Sequence, residues 1–284
     1  MTQTFNAAKY KSTTHDQWQE AAQAWDRWGH LLRSWLGPAT ERMLDVAGVS
    51  PGSSVLDVAA GAGDQTLMAA QRVGETGRVL ATDLSSNILA CALNNARQAG
   101  FDHVETLVAD GENLPVDPDS FDAVISRVGL IYFPDQHDAV TGMHRALKPG
   151  GKCAALTYST ADKNGFFSVP VSVIRNRANL PAPLPGQPGP FSLGDPARCE
   201  ALFTGAGFSD VKTEIIDAPV VLPSAIECLN FEKESFGALH QLLSGLDDAA
   251  RDAVWDEIEQ ELKKFETPAG FVGPCELVLV VGTK

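Results

Sequence analysis

No apolar run in this sequence approaches the roughly 20 residues needed to cross a bilayer, so integral membrane association is not expected. Positive charge is scarce: 22 Lys and Arg stand against 36 Asp and Glu, a formal net charge of −14. A phosphate-backbone ligand needs clustered Lys and Arg, so the balance speaks against a nucleic-acid partner while leaving room for a local basic pocket. Cysteine is sparse, at positions 91, 153, 199, 228 and 275, and no two are spaced C-x-x-C. That speaks against a zinc ribbon or redox pair, and no metal is expected. Cys91 and Cys153 fall in an expected helix and strand, where a buried thiol is the default. The odd count, with no signal-peptide pattern at the start, sets the expectation of a reducing cytoplasm. Internal repeats are absent too.

What the sequence does have is ordinary globular stuff: 284 residues, 44% hydrophobic and 20% charged, enough for one large α/β domain with insertions. Residues 1–50 read as an amphipathic helical cap. Trp18, Trp25, Trp28 and Trp35 recur near one helical face, and Gly37-Pro38 is expected to break the helix before a short second one over 39–47. From residue 51 the pattern becomes strand–helix alternation with short loops. Strands are expected near 54–58, 78–82, 104–109, 121–126 and 152–157, with helices near 64–73, 86–99 and 136–147. Such alternation implies right-handed crossovers and a parallel sheet covered on both faces. After 158 it stops. Pro181, Pro183, Pro185, Pro188 and Pro190 mark an extended connector. A helix near 195–206 and a strand near 211–217 resume the core, residues 223–266 read as a mostly helical acidic insert, and 276–281 is a terminal strand.

The chemistry concentrates in Val55-Leu-Asp-Val-Ala-Ala-Gly-Ala-Gly-Asp-Gln65. A short buried strand runs into Gly61 and Gly63, which permit a tight turn and close approach of a ligand to the backbone. The next helix begins there, with its unpaired N–H groups. A dinucleotide site wants G-x-G-x-x-G at this place. Here the third glycine is missing, and Asp64 would face a pyrophosphate. A zwitterionic ligand with a cationic sulfonium fits better, since carboxylates such as Asp57 would favour it. Asp83 ends the second strand, where an acidic side chain can accept both ribose hydroxyls of an adenosyl group; capping of the following helix by Asp83 or Ser85 is the plainer alternative. Asp110 and Gly111 follow the third strand, where a carboxylate and a backbone N–H can meet adenine.

Taken in order, Val55 to Gly63, Ala81-Thr-Asp83, Val108-Ala-Asp110, Phe121-Asp-Ala-Val-Ile125 and Leu147-Lys-Pro-Gly-Gly151 resemble the motifs of class I S-adenosylmethionine-dependent methyltransferases. The nearest flavour is the "type 11" group that includes the ubiquinone and menaquinone C-methyltransferases. The match is good over about 50–158 and loose over the last third. The resemblance implies a Rossmann-like α/β fold: a seven-stranded sheet in order 3-2-1-4-5-7-6, strand seven antiparallel and supplied by 276–281, with helical lid insertions. It implies S-adenosyl-L-methionine as cofactor. Asp57, Ala59, Gly61 and Gly63 would hold its methionine part, Asp83 and Leu84 the ribose and adenine edge, and Asp110 and Gly111 the adenine. Ser126 and Arg127 would line the methyl-donor pocket. Ala59, where many relatives carry glycine, and Asp64 are departures. The implied organisation is an N-terminal helical cap (1–50), a cofactor core (51–158), a connector plus core strand (159–222), a helical lid insert (223–274) and a final core strand (275–284).

Methyl transfer from a sulfonium is an in-line displacement, so the protein's task is to position the acceptor and exclude water. A base is needed only if the acceptor must lose a proton. Ser126-Arg-Val-Gly129 stands where amide-nitrogen methyltransferases carry an Asn/Asp-Pro-Pro-aromatic run, which disfavours that class. Arg127 could grip an anionic carboxylate or phenolate, or instead serve a structural ion pair. His137 could be a base near the site end of its helix, or a solvated surface histidine; Tyr158 follows strand five and is nearer the expected acceptor. Trp25, Trp28, Phe166, Phe167, Phe191, Phe231 and Phe236 suggest an apolar acceptor, or pack the lid against the core. The leading expectation is therefore methylation of a carbon or oxygen of a small, largely apolar, quinol-like or phenolic metabolite. Transfer to nitrogen or sulfur of another small molecule, a nicotinamide-dependent reductase and a cofactor-binding sensor stay open as alternatives. So does a homodimer.

Overall fold

The computed structural model describes residues 5–184 and 187–284. Pro185 of the connector and residues 1–4 of the cap lie outside the described residues. The cap is two helices, α1 (Ala7–Arg27) and α2 (Gly29–Val46). Asn6 starts α1 by accepting a hydrogen bond from the Lys9 amide at 2.9 Å.

The break falls at Trp28-Gly29 and not, as the sequence suggested, at Gly37-Pro38: α2 runs straight through Pro38. Proline deletes one helical hydrogen bond and its ring crowds the residue before it. Gly37 has no Cβ to be crowded, and Pro38 itself is exposed. The helix is kept whole by the apolar stripe Leu31, Leu32, Trp35, Leu36, Ala39, Met43 and Leu44, all buried in the main core. Tertiary burial outweighs local propensity.

The core follows as β1 (Ser54–Val58), α3 (Asp64–Val73), β2 (Arg78–Asp83), α4 (Ser86–Gln98), β3 (Val104–Val108), β4 (Phe121–Arg127), α5 (Gln136–Ala146) and β5 (Leu147–Tyr158). Next come α6 (Gly165–Arg177), α7 (Pro196–Gly205), β6 (Ser209–Asp217), β7 (Val220–Leu222), α8 (Ala225–Ser235), α9 (Gly237–Leu243) and α10 (Asp248–Leu262). The chain closes with β8 (Glu266–Thr267), β9 (Gly270–Gly273) and β10 (Glu276–Thr283). The main sheet has the order β3-β2-β1-β4-β5-β10-β6. β10 is antiparallel to both neighbours, with Leu279 opposite Leu156 on β5 and Glu214 on β6. The order and the reversed seventh strand are those implied by the sequence motifs.

β1 and β4 at the centre are buried on both faces, which is why they read as continuous apolar runs. The strands' carboxyl ends therefore open onto one crevice beside the β1/β4 junction, where the sheet order reverses.

Two elements were not visible beforehand. α6 fills the stretch where alternation stopped; its Phe166, Phe167 and Ile174 are buried. A second sheet, β7-β9-β8, ties the segment before the 223–274 insert to its far end, so that stretch is helical only over α8–α10. Strands of two to four residues carry too few alternations to be read from pattern. All five cysteines are free and buried. No helix among the described residues is long and apolar enough to cross a membrane.

Pro38→Ala is expected to restore the missing helical hydrogen bond and raise stability by about 1–2 kcal/mol, the helix gain being offset in part by a freer unfolded chain. A urea titration showing a higher midpoint with unchanged slope would match this; a lower midpoint would show that α2 needs the proline.

Candidate functional site

A cavity of about 570 Å³ lies above the carboxyl ends of β1, β2, β3 and β4 and beneath α1 and α2. Its floor is built by backbone conformations that few residues tolerate. Ala59 sits at φ +59°, Gly61 at +59° and Gly63 at +92°. Ala59 adopts the left-handed region at a cost of about 1–2 kcal/mol. Its Cβ would stand 2.4 Å from a Cβ placed on Gly129, so Gly129 must stay bare to let the loop after β4 approach the turn after β1. Gly63 does not face the cavity. A Cβ there would meet the Ala92 side chain at 2.8 Å, so it is the contact point of α3 on α4.

Asp57 is likewise set behind the cavity wall. It is 0% exposed. It accepts hydrogen bonds from Thr66 Oγ1 at 2.6 Å and Gln65 Nε2 at 3.2 Å, bracing the first turn of α3. Burial pushes its carboxyl up to about 6, against the pull of those two donors. Asp83 faces the cavity and ties the floor together: Oδ2 accepts from the Gly61 amide and Oδ1 from the Ser85 amide, both at 3.0 Å. Burial raises this carboxyl too, and the backbone donors oppose the rise. The cap of α4 is Ser85, whose Oγ accepts from Ile88 N, so Asp83 is free of that task. Leu84, Asp110 and Gly111 also line the cavity. Asp110 and Glu112 both hold Lys11 of α1, at 2.6 Å each. The Phe133 ring packs on Gly111, 2.5 Å from where a Cβ would be.

The other end of the cavity is walled by Arg127, Tyr158, Tyr132 and Phe133 from the core and by Trp18, Trp25 and Phe236 from the lid. Trp18 packs on Trp25 and Tyr132, with centroids 5.4 and 5.6 Å apart. Trp25 donates its indole N–H to Ser235 O at 3.0 Å, fastening α1 to α8. Arg127 is 8% exposed. Its Nη1 donates to Asp64 Oδ2 at 2.7 Å and Thr40 Oγ1 at 2.9 Å. Nε and Nη2 make no hydrogen bond to a described residue. Asp64 also takes a longer contact, 3.3 Å, from Arg33 Nε. The structure thus supports the ion-pair alternative for Arg127 and still leaves it donors to spare. Beside it, Ser126 Oγ is buried without a partner among the described residues.

Tyr158 is buried against Trp35, its ring stacked at 15°. Burial raises its phenol well above 10, so it stays neutral. His137 does not reach the site. It sits on the outer end of α5 with Nε2 3.3 Å from Gly205 O on α7. The imidazole in the cavity wall is His30, with Arg33 one turn further along α2. Neither was singled out from sequence, because a basic residue on an amphipathic helix looks like solvated surface until α2 is laid over the glycine turn.

A buried acid in the lid is unexplained by any of this. Glu232 is 0% exposed. Its Oε2 has no partner among the described residues, and burial pushes its carboxyl well above the usual range. The folded protein therefore holds a proton that the unfolded chain releases above its ordinary value of 4.5. Stability from this group is present below that value and falls as pH rises. Glu232→Gln removes the titration, so thermal melts should show the variant gaining on wild type between pH 5 and pH 8. A pH-independent gap would show that Glu232 is ionised in the fold.

An antiparallel seventh strand, a glycine turn after β1 and acids after β2 and β3 define a class of protein, and comparison with known proteins agrees. This chain is an S-adenosylmethionine-dependent methyltransferase by its sequence relatives, and it shares its fold with solved proteins of that kind. It is similar to the ubiE/COQ5 methyltransferase family, whose model matches residues 33–171, just under half of the chain. The demethylmenaquinone methyltransferase of Staphylococcus epidermidis is 29% identical over 220 residues, 72% of this chain and 88% of that protein. The ubiquinone/menaquinone biosynthesis C-methyltransferase UbiE of Klebsiella pneumoniae is 38% identical over 117 residues, 41% of this chain and 47% of that one. Among solved structures, the YcgJ protein of Bacillus subtilis superposes with TM-score 0.58 at 19% identity, covering 87% of this chain and 98% of that one. Phosphoethanolamine N-methyltransferase 2 of Haemonchus contortus, in complex with S-adenosyl-L-methionine, gives 0.55 at 21%, covering 87% and 52%. These two share the fold. The nicotinamide alternative does not survive the strand order and the family match.

Proposed function

We propose that this enzyme methylates a ring carbon of a small, largely apolar hydroxylated aromatic compound of the quinol type. One observation carries this reading: a buried guanidinium, Arg127, with unspent donors in the wall of a cavity otherwise rimmed by Trp18, Trp25, Tyr132, Phe133, Tyr158 and Phe236. Such a wall binds a flat apolar ring, and a buried cation stabilises the charge of a ring hydroxylate. The names of the relatives, demethylmenaquinone methyltransferase and ubiquinone/menaquinone C-methyltransferase, agree with a substrate of this kind.

The cofactor fits the other end. Asp83 has lone pairs left for the ribose hydroxyls after accepting two amides, Asp110 and Gly111 flank the adenine position, and Ala59 and Gly61 leave room for the methionine chain. Ser126 Oγ is an orphaned polar atom at the junction. Asp57 and Gly63 act by bracing the turn. The bound donor supplies an electrophilic methyl group on a sulfonium. Arg127 holds the ring hydroxyl as its anion, which makes the adjacent carbon nucleophilic. Tyr158 can hydrogen-bond a second ring oxygen while neutral. The lid aromatics exclude water. The donor would supply the methyl group with sulfur as leaving group; the ring hydroxyl would lose its proton to solvent beforehand and the ring carbon's proton would return to that oxygen, so that one proton is released overall.

Incubation with methyl-labelled S-adenosylmethionine and dithionite-reduced 1,4-naphthoquinones, without oxygen, should place the label on a ring carbon, as read by NMR. Label on oxygen, or none, would overturn the reading. Arg127→Met should lower kcat about a hundredfold, with cofactor affinity by calorimetry changed only a few-fold.

A further inference from the structure

The exposed residues of the cavity lining are His30 and Arg33 on α2 and Gln98 and Ala99 at the end of α4. The aromatic wall contributes none of them. Within it Phe236 is 3% exposed and Tyr158 1%. A second row of rings closes behind these two. Phe167 lies 4.6 Å from Phe236 and 6.5 Å from Tyr158, centroid to centroid. Phe231 lies 5.5 Å from Phe236 and 6.2 Å from Trp25. Trp35 stacks on Tyr158. Phe167, Phe231 and Trp35 are all buried, and none of them reaches the cavity. The aromatic end is therefore blind.

Phe236 is also held from its backbone. It joins α8 to α9. Its amide donates to Glu232 O at 2.9 Å, and the preceding carbonyl, Ser235 O, accepts the Trp25 indole N–H at 3.0 Å.

We infer that Phe236 sets the length of the acceptor: the site takes a compact quinol with at most a short side chain and rejects one that carries a long alkyl or isoprenoid chain. The inference rests on the quinol reading above. The available volume agrees with it. Pockets for one drug-sized ligand run roughly 300–1,000 Å³. Here about 570 Å³ must hold donor and acceptor together, and the donor alone is drug-sized. A long chain on the ring would have to run past the donor toward α2 or α4, or displace Phe236 and Phe167. Close-packed rings do not yield such space without losing contacts. Behind Phe167 stands Phe191 of the connector, 6.5 Å away and only half-buried. Phe236 is thus the innermost of the stacked rings on that side, and removing its ring gives a chain its first few carbons of room.

The test measures kcat/KM, without oxygen, for reduced 1,4-naphthoquinones that carry hydrogen, an ethyl, a pentyl or a decyl group beside a free ring carbon. Wild type should methylate the first two and disfavour the decyl compound by about a hundredfold or more. Phe236→Ala should raise the ratio of pentyl to unsubstituted substrate about tenfold. Phe236→Leu should raise it less, and it carries the measurement if the alanine variant does not fold. Wild type reacting equally well at every chain length would overturn the inference. So would variants that lose activity on all lengths alike, since Phe236 would then only hold the lid together. If no quinol of the series is methylated, the quinol reading itself fails and the length rule falls with it.

Discussion

The buried pair between Arg127 and Asp64 is where the parts of this molecule meet. Arg127 ends β4, Asp64 begins α3, and Thr40, which shares the Arg127 Nη1, belongs to α2. One guanidinium thus links the central strand, the glycine-turn helix and the cap. Two buried charges are costly to desolvate; here they are held by each other, by the Thr40 hydroxyl and by the longer contact of Arg33 with Asp64. Removing Asp64 would leave Arg127 in the core with no carboxylate hydrogen-bonded to it, a loss of about 3–5 kcal/mol. The pair is therefore weak evidence for extra stability and strong evidence for a defined position: Arg127 cannot drift, so its remaining donors point into the same cavity in every molecule.

Around that fixed point the two ends of the cavity use different physics. The end below β2 and β3 is ionic and hydrogen-bonded, with Asp83 closing onto the Gly61 amide and Asp110 reaching Lys11 across the opening. The other end is made of aromatic rings. Phe231 touches Trp25, Trp28 and Trp35, and Phe236 touches Trp25 and Phe167, so cap, insert and core interlock through one aromatic cluster. A methyl transferase needs both: polar groups that orient the donor, and a dry enclosure that keeps water from competing for the methyl group.

Several features read as oddities in the sequence acquire causes in three dimensions. Thr66 after the glycine turn is there for Asp57, which needs its hydroxyl. Ala59 in a left-handed position is compensated by Gly129, which yields the space its methyl group takes. Pro38 survives mid-helix because Gly37 precedes it and a buried stripe runs along the opposite face.

The sequence by itself determined the alternation of strands and helices from 54 to 158, the glycine turn and the acids at 83 and 110. These depend on short-range patterns: apolar runs of strand length, turn residues and the spacing between them. It could also announce a tryptophan-rich cap and an aromatic insert, because composition survives without coordinates. What it could not settle is which side chains share a space. His137 and His30 are equally plausible as text, yet α5 carries one to the outer face against α7 while α2 brings the other over the cavity. Asp57 and Asp83 both lie at the ends of strands, but one turns back under α3 and the other opens to the cavity. The buried acid at 232, the shared carboxylate of Asp64 and the small sheet joining β7 to β9 are products of long-range packing. No local period encodes them, since each depends on segments some tens to hundreds of residues apart being pressed together by burial of the core.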